Sequence, residues 1–235
     1  MASSSSHLAL VTGGSGGIGN AIARKFALED YKVVIADIVP PAVSRHNIEY
    51  FGCDVRDADA VNGLFAGVLK SYGRLPDTLV LSAGRGIHER LTEGDPEKWH
   101  EVIDLNVMGV LRCIRAFVPP MEEQGEGEVV IISSVAATKA YAYGGIYGAS
   151  KAAVEMIAET LRLETLPGVR VTIVAPGVVD TEFFKNEVSG NKSVKDIGVG
   201  SLSAEDIAED VFYAISKKKG TGINKIITRP AAQDF

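Results

Sequence analysis

Seven short runs dominated by apolar and β-branched residues recur along the chain, at 8–11, 32–36, 48–53, 78–81, 129–132, 169–174 and 224–228. Most do not alternate with polar residues, the mark of a strand covered on both faces, and such strands belong to parallel sheets. Between the runs the apolar period changes to that of a helix. Ile18, Ile22 and Phe26 share one face; residues 58–72 and 149–163 are rich in helix formers; Ser203-Ala204-Glu205-Asp206 opens a helix with a capping box. Asp95 and Pro96 supply the cap and first position of a long helix carrying Trp99, Val102, Ile103, Asn106 and Val110, predicted to stop before Pro119-Pro120. Residues 40–47 read as a short polar loop, 183–201 as a mobile loop, and 1–7 as a disordered start. Strands alternating with helices predict one α/β domain over 8–235, a doubly wound parallel sheet of seven strands with helices on both faces.

In such a sheet, ligands lie outside the carboxyl ends of the strands. The polar residues of this chain collect there: Gly13, Asp37, Asp54, Gly84, Ser134 and Pro176 each follow a strand. The first run leads directly into Thr12-Gly13-Gly14-Ser15-Gly16-Gly17-Ile18-Gly19 and then a helix. That is the context in which glycines permit a tight turn and bring backbone against a pyrophosphate at a helix N-terminus, the Rossmann arrangement. Asp37 ends the second strand, where a carboxylate accepts hydrogen bonds from the adenosine ribose hydroxyls.

Tyr147 and Lys151 are four residues apart on one helical face, a turn from each other. A cation beside a phenol favours the phenolate and brings it toward a range in which it exchanges a proton with a substrate oxygen. Ser134 adds a hydroxyl at the end of the fifth strand. Asn106, polar within an apolar stripe, reads either as a buried, satisfied amide or as a water or backbone anchor near the site.

Composition narrows the functional classes. The 24 basic and 30 acidic residues give a net charge of -6, spread along the chain, which argues against nucleic-acid binding. No segment approaches a membrane-spanning apolar length, and residues 1–7 lack the pattern of a signal peptide. Cys53 and Cys113 are too few for a disulfide framework and fit reduced, buried thiols in a cytoplasmic setting. No metal site is assigned.

Taken together, these motifs resemble the short-chain dehydrogenase/reductase family, in its compact single-domain branch, over nearly the whole chain. The family's TGxxxGIG motif is Thr12 to Gly19, its YxxxK motif Tyr147 to Lys151, its serine Ser134 and its helical asparagine Asn106; its PGxxxT stretch is Pro176 to Thr181. The resemblance implies reversible hydride transfer between a nicotinamide and a secondary alcohol or carbonyl. Tyr147 is the implied acid and base, Ser134 holds the reacting oxygen, Lys151 supports Tyr147 and binds the nicotinamide ribose, and Asn106 positions a water toward Lys151. The implied cofactor contacts are Gly13, Ser15, Gly17, Ile18, Gly19, Asp37, Asp54, Val55, Ala83, Gly84, Tyr147, Lys151, Pro176, Gly177, Val179 and Thr181. Relatives are commonly homodimers or homotetramers that pair the helix bearing Asn106 and the helix following Tyr147. Here those helices carry Val107, Val110, Leu111, Met156 and Ile157.

Two departures from the family pattern stand out. Its NNAG segment is here Leu81-Ser82-Ala83-Gly84, so a hydroxyl replaces the amide that braces the central strand. Relatives that use NADP place basic residues in the glycine loop or after the second strand, where this chain has Gly16 and Asp37, so NAD is favoured over NADP. The Ile226-Ile227-Thr228-Arg229-Pro230 ending is similar to that of members acting on serine and 3-hydroxy acids. Two other readings remain open. One is a nicotinamide-sensing binding module without turnover, usually marked by an eroded catalytic group. The other is a short lyase or epimerase, which typically needs a larger region after Thr181.

Overall fold

The computed structural model describes residues 7–43, 45–190 and 198–234. The start of the chain at 1–6 and the middle of the 183–201 loop therefore lie outside the described residues. Strands β1 (Leu8–Thr12), β2 (Lys32–Asp37), β3 (Ile48–Gly52), β4 (Thr78–Leu81), β5 (Gly127–Ile132), β6 (Val169–Pro176) and β7 (Lys225–Thr228) form one seven-stranded sheet in the order β3-β2-β1-β4-β5-β6-β7. Every neighbouring pair is parallel. The chain winds outward from β1 to one edge and then from β4 to the other, so the order reverses between β1 and β4, where ligand crevices form.

Side chains alternate across each strand, and both faces of the inner strands β1, β2, β4, β5 and β6 are buried, whereas the edge strands β3 and β7 are only partly covered. Leu8, Leu10, Leu79, Leu81, Val129 and Ile131 pack into one layer with α2 (Ala58–Tyr72), α4 (Gly109–Gln124) and α5 (Gly145–Glu164). Ala9, Val11, Val33, Ile35, Val130 and Ile132 pack into the other with α1 (Gly17–Leu28) and α6 (Ala204–Ile215). This two-sided burial explains why the strand runs lack polar alternation. The capping box at Ser203 and Asp206 forms, and Asp95 caps α3 (Pro96–Ile103) by accepting the Glu97 N–H.

Three local features differ from the expectation. The helix predicted to stop before Pro119-Pro120 continues to Gln124 and closes at Gly125, whose φ is 72°. Phe117, Val118 and Met121 flank the prolines and are buried in the core. Their burial, worth roughly 1.5–3 kcal/mol each, offsets the backbone bonds that the two prolines forgo. The long helix is also interrupted by a π-helical turn, Asp104–Met108, between α3 and α4. The loop expected to be mobile is anchored where it is described. A short 3₁₀ turn spans Phe184–Asn186; the Val188 N–H donates to Gly86 O at 2.9 Å and the His88 N–H to Ser189 O at 2.8 Å. Leu202 pairs with the 178–180 backbone through two bonds of 2.8 Å. Backbone bonds of this kind leave no trace in side-chain periodicity.

Candidate active site

The carboxyl ends of the strands open into one cavity of about 1050 Å³, and every residue implied to contact the cofactor lines it. Its floor is the glycine turn. Gly13 has φ 66°, and a Cβ there would stand 2.9 Å from Ala83 Cα, so the turn between β1 and α1 can lie against the end of β4 only as glycine. Thr12 Oγ1 accepts the N–H groups of Ser82 and Ala83 at 3.1 and 3.2 Å. Buried Thr12 thus braces the end of β4, the service left in question by the replacement of the family's amide with Ser82. Gly16 caps α1 with no side-chain bond, and no acidic residue occupies the first turn. The first amides of a twelve-residue helix are therefore free of side-chain competitors beside the cavity, an arrangement that suits a pyrophosphate.

Around this floor the remaining contacts are held in place. Asp37 accepts the Ser15 N–H at 3.0 Å and the Val39 N–H at 3.3 Å, which fixes its carboxylate at the cavity's edge. Asp54 is clasped by Arg56, with contacts of 3.0 Å from Nε and 2.7 Å from Nη2, and this pairing holds its carboxyl below the usual range. The Gly177 N–H donates to Thr228 O at 2.7 Å and the Val178 N–H to Gln233 Oε1 at 3.0 Å, shaping the 176–181 segment. The residues present fit a dinucleotide: a glycine cradle, an uncapped helix start and a carboxylate at the second strand.

At the other end of the cavity stand Ser134, Tyr147 and Lys151. Ser134 ends β5 and caps a short 3₁₀ turn, Val135–Ala137, accepting the Ala136 N–H at 3.2 Å. Its hydroxyl also hydrogen-bonds the Tyr147 phenol, which favours the phenolate. Burial acts more strongly in the opposite direction and, with Glu187 nearby, pushes Tyr147 up to about 12. Lys151 is 7% exposed, and burial draws its ammonium down to about 8. Its Nζ donates to Ile132 O at 2.9 Å and lies 5.8 Å from the Tyr147 ring centroid. The expectation that Lys151 lowers the phenol is therefore not met by the protein's own groups, because desolvation outweighs a cation committed to a carbonyl.

Asn106 does not line the cavity; it sits behind Gly84 within the π-helical turn, 1% exposed. Its Oδ1 accepts the Arg85 N–H at 2.9 Å, and its Nδ2 donates to Arg85 O and to Ser150 Oγ, each at 3.0 Å. These bonds make Asn106 a buried, satisfied amide that also anchors backbone, so the two sequence alternatives meet in one residue. Side chains that the sequence reading did not single out complete the wall: Arg85, His88, Tyr141 and Phe183. Phe183 lies 5.7 Å from the Tyr147 ring, and Arg85 donates to Glu101 at 2.9 Å. The one signal for Arg85 and His88 is their position just after β4; Tyr141 had none.

The short chain dehydrogenase family matches residues 7–192. The chain is 31% identical over 237 residues to a sulfoacetaldehyde reductase of Chromohalobacter salexigens, covering 95% of this chain and 93% of that protein. Among solved structures, the closed form of a serine dehydrogenase complexed with NADP+ is 29% identical with a TM-score of 0.89, covering 97% of this chain and 96% of that one. An alcohol dehydrogenase from the archaeon Thermococcus sibiricus, complexed with 5-hydroxy-NADP, is 28% identical with a TM-score of 0.83 and 97% coverage of both chains.

The buried ammonium makes a stability prediction. Lys151 falls from 10.5 to about 8, so the folded state disfavours its charged form. That destabilising contribution is fully present below about pH 8 and is relieved as pH rises toward 10.5, because in this window the unfolded chain binds more protons. The unfolding free energy of the wild type, measured in urea, should rise relative to that of Lys151→Met by about 3 kcal/mol across this window. A difference that does not change with pH would remove the buried charge from the account.

Proposed function

The chain belongs to the short-chain dehydrogenase family, and on that premise we propose that it interconverts a secondary alcohol and a carbonyl with NAD as its cofactor. The observation that carries the reading is the position of Ser134, Tyr147 and Lys151 at one end of the cavity whose floor is the glycine cradle. When bound, the nicotinamide supplies the hydride acceptor or donor and, in its oxidised form, a positive charge. Gly13 to Gly19 and the start of α1 hold the pyrophosphate, Asp37 the adenosine ribose, Asp54 and Val55 the adenine side, and the 176–181 segment the nicotinamide side.

Tyr147 moves the proton. In oxidation it takes the proton of the substrate hydroxyl; in reduction it returns one to the carbonyl oxygen. Ser134, already bonded to the phenol, donates to the same reacting oxygen and stabilises charge that develops there. Lys151 holds the nicotinamide ribose and, with its depressed value near 8, supplies a proton-exchanging group close to Tyr147. Asn106 acts indirectly, pinning the Arg85 backbone to α5 through Ser150. All four members of the group are present, which supports turnover over a sensing module. A small hydroxy acid, the class that the chain's ending resembles, is the rival to the substrate class inferred below, and the likeness to a serine dehydrogenase is what supports it.

The preference for NAD rests on Asp37, a carboxylate that a ribose 2'-phosphate would meet at close range. Arg45 does not line the cavity, Gly16 adds no charge, and Arg56, which does line it, is paired with Asp54. Two solved relatives are complexed with NADP-type cofactors, so the proposal of NAD rests on this carboxylate and not on the relatives. A homodimer or homotetramer is supported by Met108 and Met156, 42% and 69% exposed on the helices expected to pair. Half-buried Val107, Leu111 and Ile157 border them, whereas Val110 is buried in the core and drops out of that face. Buried, free Cys53 and Cys113 support a cytoplasmic setting.

Tyr147→Phe should lower kcat by roughly 10²- to 10⁴-fold with cofactor affinity largely retained; a variant keeping more than about a tenth of wild-type kcat would end the assignment. For the cofactor, kcat/KM with NAD should exceed that with NADP, and Asp37→Ala should raise relative NADP use by about tenfold to a thousandfold. A wild-type preference for NADP would contradict the charge argument. Light scattering at micromolar protein should give the mass of two or four chains; a monomeric mass would reject the pairing.

A further inference from the structure

Beside Tyr147 lies a chain of three polar side chains that the reaction above does not use. Glu187 Oε1 stands 2.9 Å from His88 Nδ1, with side-chain exposures of only 1% and 9%. On the opposite edge of the imidazole, Nε2 lies 3.1 Å from the Tyr141 hydroxyl. His88 and Tyr141 line the cavity, and Glu187 sits behind them. The arrangement is fastened by backbone: residues 186–189 lie along 85–88 through the Val188 and His88 amides, and Arg85 Nε donates to Asn186 O at 2.7 Å.

Among the described residues, neither carboxylate oxygen of Glu187 nor His88 Nδ1 has an aligned hydrogen bond. A carboxylate so buried is costly unless a proton or charge stands against it. The nearest is the imidazole, so Nδ1 carries its proton toward Glu187, and Nε2 is left as the atom that meets Tyr141. The consequence falls on the Tyr141 hydroxyl. With a neutral imidazole, Nε2 accepts from Tyr141, whose lone pairs are left for the cavity. With an imidazolium, Nε2 donates to Tyr141, whose hydrogen is left for the cavity. A hydroxyl partner satisfies either state because it both donates and accepts. A carboxylate partner can only accept, and it would approach the buried charge of Glu187.

We propose that Tyr141, positioned by His88 and Glu187, reads a second hydroxyl of the substrate beside the reacting carbon, so that the enzyme favours vicinal diols and hydroxy ketones over simple alcohols and hydroxy acids. Tyr141 packs in the same small cluster as Tyr147, with Phe183 and Val188. Burial, then Tyr147, then Glu187 raise its phenol, which places the three groups in one electrostatic neighbourhood and keeps Tyr141 protonated as a hydrogen-bonding group. The inference rests on the alcohol–carbonyl reading and names the substrate class within it.

Isopropanol, propylene glycol and lactate share one methyl carbinol and differ only in a methyl, a hydroxymethyl or a carboxylate beside it. With NAD and NADP each supplied, wild-type kcat/KM is expected to be highest for propylene glycol. Tyr141→Phe should lower the ratio of propylene glycol to isopropanol about tenfold, the scale of a lost hydrogen bond in a site built to make it. Glu187→Gln, which removes the buried charge and no longer holds the imidazole proton at Nδ1, should leave that ratio near the wild type and raise use of lactate relative to propylene glycol more than twofold. A merely structural role would slow both substrates together and leave the ratio alone. A ratio in Tyr141→Phe within about twofold of wild type, no rise of relative lactate use in Glu187→Gln, or a wild-type preference for lactate, overturns the assignment of Tyr141 and leaves the reaction intact. Turnover of none of the three by the wild type overturns the alcohol–carbonyl reading and this inference with it.

Discussion

A parallel sheet buried on both faces confines polar chemistry to its ends. Leu8 and Ala9, or Val129 and Val130, point to opposite layers, and neither layer admits an unpaired polar group cheaply. The chain accordingly places Thr12, Asp37, Asp54, Ser134 and the 176–181 segment at the carboxyl ends, where turns to the next helix expose backbone and side chains. The order reversal between β1 and β4 then separates the helices that follow these strands and leaves the crevice. Thr12 closes the arrangement, since one hydroxyl on β1 fixes two amides at the end of β4 and thereby the position of Ala83 against the glycine turn.

The same burial sets the energetics of the catalytic group. Tyr147 and Lys151 are pushed in opposite directions, the phenol toward its neutral form and the ammonium toward its neutral form, because desolvation penalises both charges. Two groups whose ordinary values are close become separated by about four units, with the lysine the stronger acid of the pair. Ser134 bonds the phenol, and the ammonium donates to Ile132 O at 2.9 Å. Asn106 stiffens the frame from behind, joining the loop after β4 to α5 without touching the cavity.

Much of this was legible in the sequence because it depends on short-range patterns. The strand runs, the glycine turn, Asp37 at a strand end and the spacing of Tyr147 from Lys151 are all local, and all arrive where the pattern places them. What was not legible depends on three dimensions. The direction of the Tyr147 shift follows from burial rather than from a neighbour four residues away. Pro119 and Pro120 stay helical because Phe117, Val118 and Met121 reach the core. His88, Tyr141 and Glu187 come from three loops far apart in the chain, and only the backbone pairing of 186–189 with 85–88 brings two of them together.

The account stands on hydride transfer at a carbinol carbon coupled to proton transfer at Tyr147. The direct measurement is the fate of the carbinol hydrogen: propylene glycol deuterated at its secondary carbon is incubated with enzyme and oxidised cofactor, and the products are examined by mass spectrometry. The account predicts one deuterium in the reduced nicotinamide for each hydroxyacetone formed. Hydroxyacetone formed with the deuterium lost to water, or with none in the nicotinamide, would contradict it.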